Sequence, residues 1–152
     1  MAQSDNHLVI MAGGVGSRFW PMSTTEHPKQ FIDVLGVGRT LVQLTYDRFE
    51  GVVSPDNVWV VTNQKYVDLV HEQLPEIPLN HILSEPCRRN TAPCIAYVSW
   101  RIKKENPKAN IIVSPSDHIV MDNTEFRRVV TNCMKFTAET DAIVTLGMKP
   151  TR

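Results

Sequence analysis

The sequence predicts a doubly wound α/β fold, a mostly parallel sheet flanked by helices, and three observations carry that expectation. Short runs of β-branched and apolar residues recur along the 152 residues, and longer stretches with a three-to-four hydrophobic period separate them. The short runs are almost continuously apolar, as in Leu8-Val9-Ile10-Met11 and Ile111-Ile112-Val113. Such runs mark strands covered on both faces, the condition of a parallel sheet between two helix layers. The length suits one domain, and 42% apolar residues are enough to build its core.

The predicted strands are His7–Ala12, Val58–Thr62, His81–Ser84, Asn110–Ser114 and Ala142–Leu146, each ending in turn or polar residues. The clearest helical patterns are Thr91–Asn106, with Ile95, Val98 and Ile102, and Thr124–Glu139, with Phe126, Val129, Val130, Cys133 and Met134 on one stripe. Weaker ones cover Thr40–Glu50 and Gln64–Leu74. The fifth strand is followed directly by Lys149-Pro150-Thr151-Arg152 with no closing helix, so a chain truncated at its C-terminus is expected. Sixteen basic residues balance sixteen acidic ones, leaving no global field to hold a polyanion, so nucleic acid is not the expected partner. The longest apolar runs, Leu8–Ala12 and Cys94–Val98, are five residues each, far short of a membrane span, and a soluble cytoplasmic protein is expected. Three cysteines without a C-x-x-C pair argue against a disulfide framework or a structural zinc site. Cys94 and Cys133 read as small apolar positions within helices, while Cys87 falls in a loop.

Four segments can carry chemistry. Ala12-Gly13-Gly14-Val15-Gly16-Ser17-Arg18-Phe19-Trp20-Pro21 follows the first strand, where open α/β sheets bind ligands. Its glycines allow successive backbone N–H groups to face one concavity, as in phosphate-binding nests. The dinucleotide fingerprint fails because Phe19 stands in the third glycine's place, and the P-loop fails for want of its Gly-Lys-Ser/Thr. What remains is a glycine loop with its own arginine, Arg18, whose planar fork suits phosphate oxygens. In His27-Pro28-Lys29-Gln30-Phe31, Pro28 stiffens the approach to Lys29 and presents a cation from a rigid loop.

The third segment is Ser84-Glu85-Pro86-Cys87-Arg88-Arg89-Asn90-Thr91-Ala92-Pro93. Asn90 or Thr91 can cap the next helix and Pro93 suits its first turn. Glu85 has no such structural role, and a carboxylate there can accept from the N1–H and exocyclic amine of guanine, a donor pair adenine lacks. In the fourth, Pro115-Ser116-Asp117-His118, Asp117 is placed to hold Mg²⁺ against substrate phosphates, with a helix cap or turn as the plain alternative. His118 reads first as a hydrogen-bonded histidine.

Together these segments resemble the sugar-nucleotide pyrophosphorylases, and within them the mannose-1-phosphate guanylyltransferase (GDP-mannose pyrophosphorylase) family. The resemblance rests on Gly13 to Ser23, Pro28-Lys29-Gln30-Phe31, Glu85-Pro86 with Arg89-Asn90-Thr91-Ala92-Pro93, and Pro115-Ser116-Asp117-His118, in the family's order and over nearly the whole chain. It implies a Rossmann-like nucleotide-diphospho-sugar transferase fold and the conversion of GTP and α-D-mannose 1-phosphate to GDP-mannose and pyrophosphate, with Mg²⁺ as cofactor. It also implies that Arg18 and Lys29 are catalytic cations. Ala12, Gly13, Gly14, Gly16 and Ser17 would wrap the nucleotide, Glu85, Asn90 and Thr91 would face base and ribose, and Asp117 would ligate the metal. Residues 1–152 would form the N-terminal, nucleotide-binding portion of the domain, with the mannose pocket, a second acidic ligand and any C-terminal domain outside them. A homodimer is compatible with that picture.

The chemistry fits on physical grounds. A phosphate oxygen is already an anionic nucleophile, so no general base is needed, and no convincing Ser/His/Asp or Cys/His set appears. Three competing expectations are an inactive nucleotide-binding fragment, a pyrophosphorylase for another nucleotide sugar, and a nicotinamide-dependent oxidoreductase. The last calls for an acidic residue closing a second strand, whereas Asp33 follows the Pro28 loop.

Overall fold

The computed structural model describes residues 5–14, 20–85 and 90–147. Four strands, β1 (Asn6–Met11), β2 (Val58–Asn63), β3 (Ile82–Glu85) and β4 (Asn110–Pro115), form one sheet in the order β3-β2-β1-β4. Every neighbouring pair is parallel, with Leu8 opposite both Val58 and Ile112, and Val60 opposite Ile82. The chain therefore steps outward from β1 to β3 and then returns to the other side of β1. This reversal makes the carboxyl ends of β1 and β4 a topological switch point, where loops diverge and leave a crevice.

Side-chain alternation along the strands sorts the core into two layers. Leu8, Ile10, Val58, Val60 and Ile82 face helices α1 (Leu41–Arg48), α2 (Val67–Gln73) and α4 (Asn123–Glu139), which contribute Val42, Val70, Val130 and Met134. Val9, Trp59, Val61 and Leu83 face α3 (Thr91–Glu105), which contributes Cys94, Val98 and Ile102. Each fully buried aliphatic side chain in these layers adds roughly 1.5–3 kcal/mol of transfer free energy. The doubly wound parallel expectation is thus met, and the uninterrupted apolar character of β1 and β2 follows from burial on both faces.

Local chemistry sets the helix ends. The Gln43 side chain accepts from the Thr40 backbone N–H at 3.0 Å to start α1, and Asp122 accepts from the Glu125 N–H at 2.9 Å to start α4. The stretch expected as one helix over Gln64–Leu74 opens instead with a 3-10 turn, Gln64–Tyr66, because the Asn63 side chain accepts from the Lys65 N–H at 3.1 Å. The expected strand Ala142–Leu146 is not formed: these residues pair with nothing in the sheet and Ile143 is 96% exposed. Strand propensity reflects packing on a pleated, half-buried surface, and this run finds neither a ladder partner nor a face to bury. No helix among the described residues is long and apolar enough to cross a membrane.

At the opposite, amino-terminal edge of the sheet, two histidines bracket Trp59. The Trp59 indole N–H donates to His7 Nδ1 at 3.3 Å, and the His81 ring stacks on the indole at 3.8 Å between centroids. Burial, with the neighbouring His81 adding to it, lowers the pKa of His7 from its ordinary value, and burial likewise lowers that of His81. The unfolded chain therefore takes up protons that the folded state resists. Stability from this cluster is complete above the ordinary histidine pKa of about 6.5 and falls as the pH drops below it. Urea unfolding followed by Trp59 fluorescence should give a lower midpoint at pH 5.5 than at pH 7.5, and replacing both histidines with phenylalanine should flatten that difference. An equal midpoint at both pH values in the unaltered protein would contradict this account.

Candidate functional site

The carboxyl end of β1 is where the loops are tied together. Beyond Met11 the chain turns away from the sheet, so its carbonyl groups need new partners. The Ser116 N–H and hydroxyl both donate to Met11 O, at 3.3 and 2.9 Å. Thr62 Oγ1 and Gln30 Nε2 both donate to Ala12 O at 3.0 Å, and Gln30 Nε2 also donates to Gly14 O at 2.7 Å. Ala12 is fully buried and contributes through this carbonyl rather than through a surface facing a ligand.

Gln30 owes its position to the turn Lys29–Phe31, a 3-10 element opened by Pro28 in extended geometry. Phe31 is buried against the Tyr66 ring at 5.7 Å, and the Tyr66 hydroxyl donates to Thr25 O at 2.8 Å. With Gln30 and Phe31 both directed inward, Lys29 is directed to the loop on the far side of β1. Its ammonium lies 2.5 Å from Asp117 Oδ2. Burial by itself would raise the pKa of Asp117, but the hydrogen bond and charge of Lys29 hold it below the usual carboxylate range. His118 Nε2 stands 3.8 Å from the other carboxylate oxygen and is mostly exposed.

On the β2–β3 side of the glycine loop lies an open cavity of about 550 Å³ lined by Met11, Gly13, Gly14, Val61, Glu85, Asn90, Thr91 and Cys94. Five of the eight predicted nucleotide-binding residues, Gly13, Gly14, Glu85, Asn90 and Thr91, therefore share one wall. A Cβ at Gly13 would stand 3.4 Å from Glu85 Oε2, in ordinary van der Waals contact, so Gly13 and the Glu85 carboxylate are direct neighbours on the cavity wall. Asn90 occupies the cap position of α3 but makes no capping hydrogen bond with its side chain, contrary to the plain capping role. Its backbone has φ 68° and ψ −168°, a region open almost only to glycine. Cys94, a predicted core position, is buried in α3 and also forms part of the cavity wall. Burial and the adjacent Glu85 carboxylate push its thiol up to about 11, which keeps it protonated at neutral pH.

Gly16, Ser17 and Arg18, with Cys87, Arg88 and Arg89, lie outside the described residues. Gln30, Met11, Val61 and Arg48 had no place in the sequence-derived site. Gln30 could have been noticed as a polar residue locked between a proline-led lysine and an apolar anchor, whereas Met11 and Val61 look like any other strand residue. Among the described residues no three His, Cys, Asp or Glu groups converge on a metal position. Asp117 by itself still fits Mg²⁺, which commonly takes one or two protein carboxylates and completes its octahedron with phosphate oxygens and water.

The family model for nucleotidyl transferases matches residues 7–152, which include the glycine loop, the cavity with Glu85 on its wall and the Lys29–Asp117 pair. The chain belongs to the nucleotidyl transferase family. It is 39% identical over 154 residues to the mannose-1-phosphate guanylyltransferase of Escherichia coli K12, covering 99% of this chain and 32% of that protein. It is 38% identical over 144 residues to the alginate biosynthesis protein AlgA of Pseudomonas syringae, covering 92% of this chain and 29% of that one. The chain thus spans about a third of the length of these curated relatives. Among solved structures, a mannose-1-phosphate geranyltransferase from Thermus thermophilus superposes with a TM-score of 0.76 at 28% identity, over 85% of this chain and 37% of that one. A mannose-6-phosphate isomerase from Helicobacter pylori, at 21% identity and a TM-score of 0.66 over 88% of this chain and 47% of that one, shares the fold. The resemblance drawn from the motifs and the Rossmann-like expectation are both borne out.

Backbone strain at Asn90 has a measurable consequence in this chain. Residues in such regions cost roughly 1–3 kcal/mol, which glycine avoids. Asn90→Gly should therefore raise the unfolding free energy by about 1 kcal/mol in urea titration. Asn90→Ala should bring no such gain. Equal or lower stability for Asn90→Gly would remove the strain argument.

Proposed function

We propose that this chain is the nucleotide-binding portion of an enzyme that makes GDP-mannose and pyrophosphate from GTP and α-D-mannose 1-phosphate. The observation that carries the proposal is the joining of the Gly13–Gly14–Glu85–Asn90–Thr91 cavity to the Lys29–Asp117 pair across a single loop at the switch point. The relatives that bear the guanylyltransferase name align over almost the whole chain, which favours mannose 1-phosphate as the second substrate.

In this reading the guanine edge enters the cavity, where Glu85 accepts from the base N1–H and exocyclic amine. Asn90 and Thr91 contact base and ribose. The triphosphate crosses the glycine loop, whose backbone N–H groups at Gly13, Gly14, Gly16 and Ser17 face its oxygens, and Arg18 clamps it in bidentate fashion. A phosphate oxygen of mannose 1-phosphate attacks the α-phosphorus in line, an O–P bond forms, and the bond to the leaving pyrophosphate breaks. No proton needs to be removed from the nucleophile. The demand on the protein is to hold two anions together and to stabilise charge on the leaving group. Lys29 meets that demand from a turn whose neighbours are buried. Asp117 would hold Mg²⁺, which when bound offsets phosphate charge. Substrate phosphates and a divalent cation would each compete for one partner of the Lys29–Asp117 pair, so the two opposite charges stay paired until ligands separate them.

Two measurements test this. Titrating the chain with GTP and Mg²⁺ should shift the amide resonances of Gly13, Gly14 and Thr91, with ATP and UTP causing smaller shifts at equal concentration. Equal responses to all three would remove Glu85 as a guanine reader. In a version containing the whole enzyme, Arg18→Ala should lower kcat by at least about 10²-fold, the typical loss of one preorganised charge-stabilising group. Turnover near that of the unaltered enzyme would exclude Arg18 from the transition state.

A further inference from the structure

Arg48 is a buried cation that folding does not explain. It is the last residue of α1 and 4% exposed, and among the described residues no carboxylate forms an ion pair with it. Its Nε has no hydrogen-bond partner. The guanidinium lies over the Phe126 ring at 5.4 Å, and Phe126 meets Phe49 edge-on at 5.3 Å, so its surroundings are largely aromatic. Burial lowers its pKa from the ordinary value, which records the desolvation penalty. Replacing a buried charge of this kind with an apolar side chain of similar volume is often neutral or stabilising.

One strong contact offsets that penalty: Arg48 Nη2 donates to the His118 carbonyl at 2.6 Å. The anchor is itself braced, since Arg127 of α4 donates from Nε to Arg48 O at 3.0 Å and from Nη2 to Asp47 O at 2.8 Å. On the other side of Asp117, Ser116 is tied to Met11 O through both its N–H and its hydroxyl. Asp117 thus sits between one residue fixed to β1 and one residue fixed to α1.

We infer that Arg48 is a positioning residue, retained at the expense of stability to hold the Ser116–His118 segment so that the Asp117 carboxylate stays at the switch point. This rests on the reading of Asp117 as the carboxylate that receives a divalent cation beside the nucleotide. It does not make Arg48 a catalytic residue, because among the described residues its guanidinium meets the His118 carbonyl and the Phe126 ring, not a site where a reacting group would bind.

The test compares Arg48→Met, Arg48→Lys and Asp117→Ala by three readouts: urea unfolding, amide hydrogen exchange at residues 117–119, and Mn²⁺ affinity measured by electron paramagnetic resonance in the presence of GTP. Arg48→Met should unfold at an unchanged or higher urea concentration, exchange faster at 117–119, and bind Mn²⁺ about tenfold more weakly, in line with the loss of an outer-shell support. Arg48→Lys, which keeps the charge without the planar fork, should recover part of the exchange protection and of the affinity. Asp117→Ala should lose Mn²⁺ binding outright. If Asp117→Ala binds Mn²⁺ and GTP as the unaltered protein does, the reading of Asp117 fails irrespective of Arg48. If Asp117→Ala behaves as expected but both Arg48 variants leave exchange at 117–119 and Mn²⁺ affinity unchanged, the positioning role is overturned. A large loss of urea stability in Arg48→Met, up to failure to fold, would also overturn it, since Arg48 would then serve the fold.

Discussion

Three carbonyl oxygens at the end of β1 hold the site together. A parallel strand that ends within a fold leaves carbonyl acceptors without ladder partners, and those that are buried must find a donor or cost the molecule a desolvated polar group. Met11 O is met by Ser116, Ala12 O by Thr62 and Gln30, and Gly14 O by Gln30. These donors come from the loop after β4, from β2, and from the turn after Pro28. Satisfying the backbone therefore brings together the segments that carry Asp117 and Lys29, residues distant in sequence whose charges end in contact.

The sheet order converts that local accounting into a functional geometry. Because β4 returns to the free side of β1, the glycine loop emerges between a cavity on the β2–β3 side and a charged pair on the β4 side. The buried cation Arg48, which holds the His118 carbonyl, and the strained Asn90 on the cavity wall both represent stability given up next to these two features.

Much of this was legible in the residue pattern, for identifiable reasons. Strands β1 and β2 are buried on both faces, so their continuous apolar runs differ in kind from the three-to-four period of α3 and α4; the edge strand β4 carries a similar run but is only half-buried. Glycines, a proline-led lysine and carboxylates placed directly after strands mark the site, because backbone freedom and charge at strand ends leave chemical signatures. The run Ala142–Leu146 misled because β-branched composition reports a surface that could pack, and no ladder partner is present for it among the described residues. Gln30 and Arg48 were hidden for the opposite reason. Their importance lies in which carbonyl each one reaches, and neither Ala12 O nor His118 O is marked in any way along the chain.

By itself the sequence determined the order of the four strands and their helices, the two-sided burial of β1 and β2 and the residue types available at the strand ends, since these depend on periodicity and composition over a few turns of chain. Only the tertiary structure decided that Lys29 faces Asp117, that Cys94 borders the cavity beside Glu85, and that Asn90 has its side chain uncommitted to the helix it precedes. Those outcomes depend on contacts between residues far apart in sequence. Such contacts are set by how the sheet and its helices pack, and only then does each polar group have a definite partner.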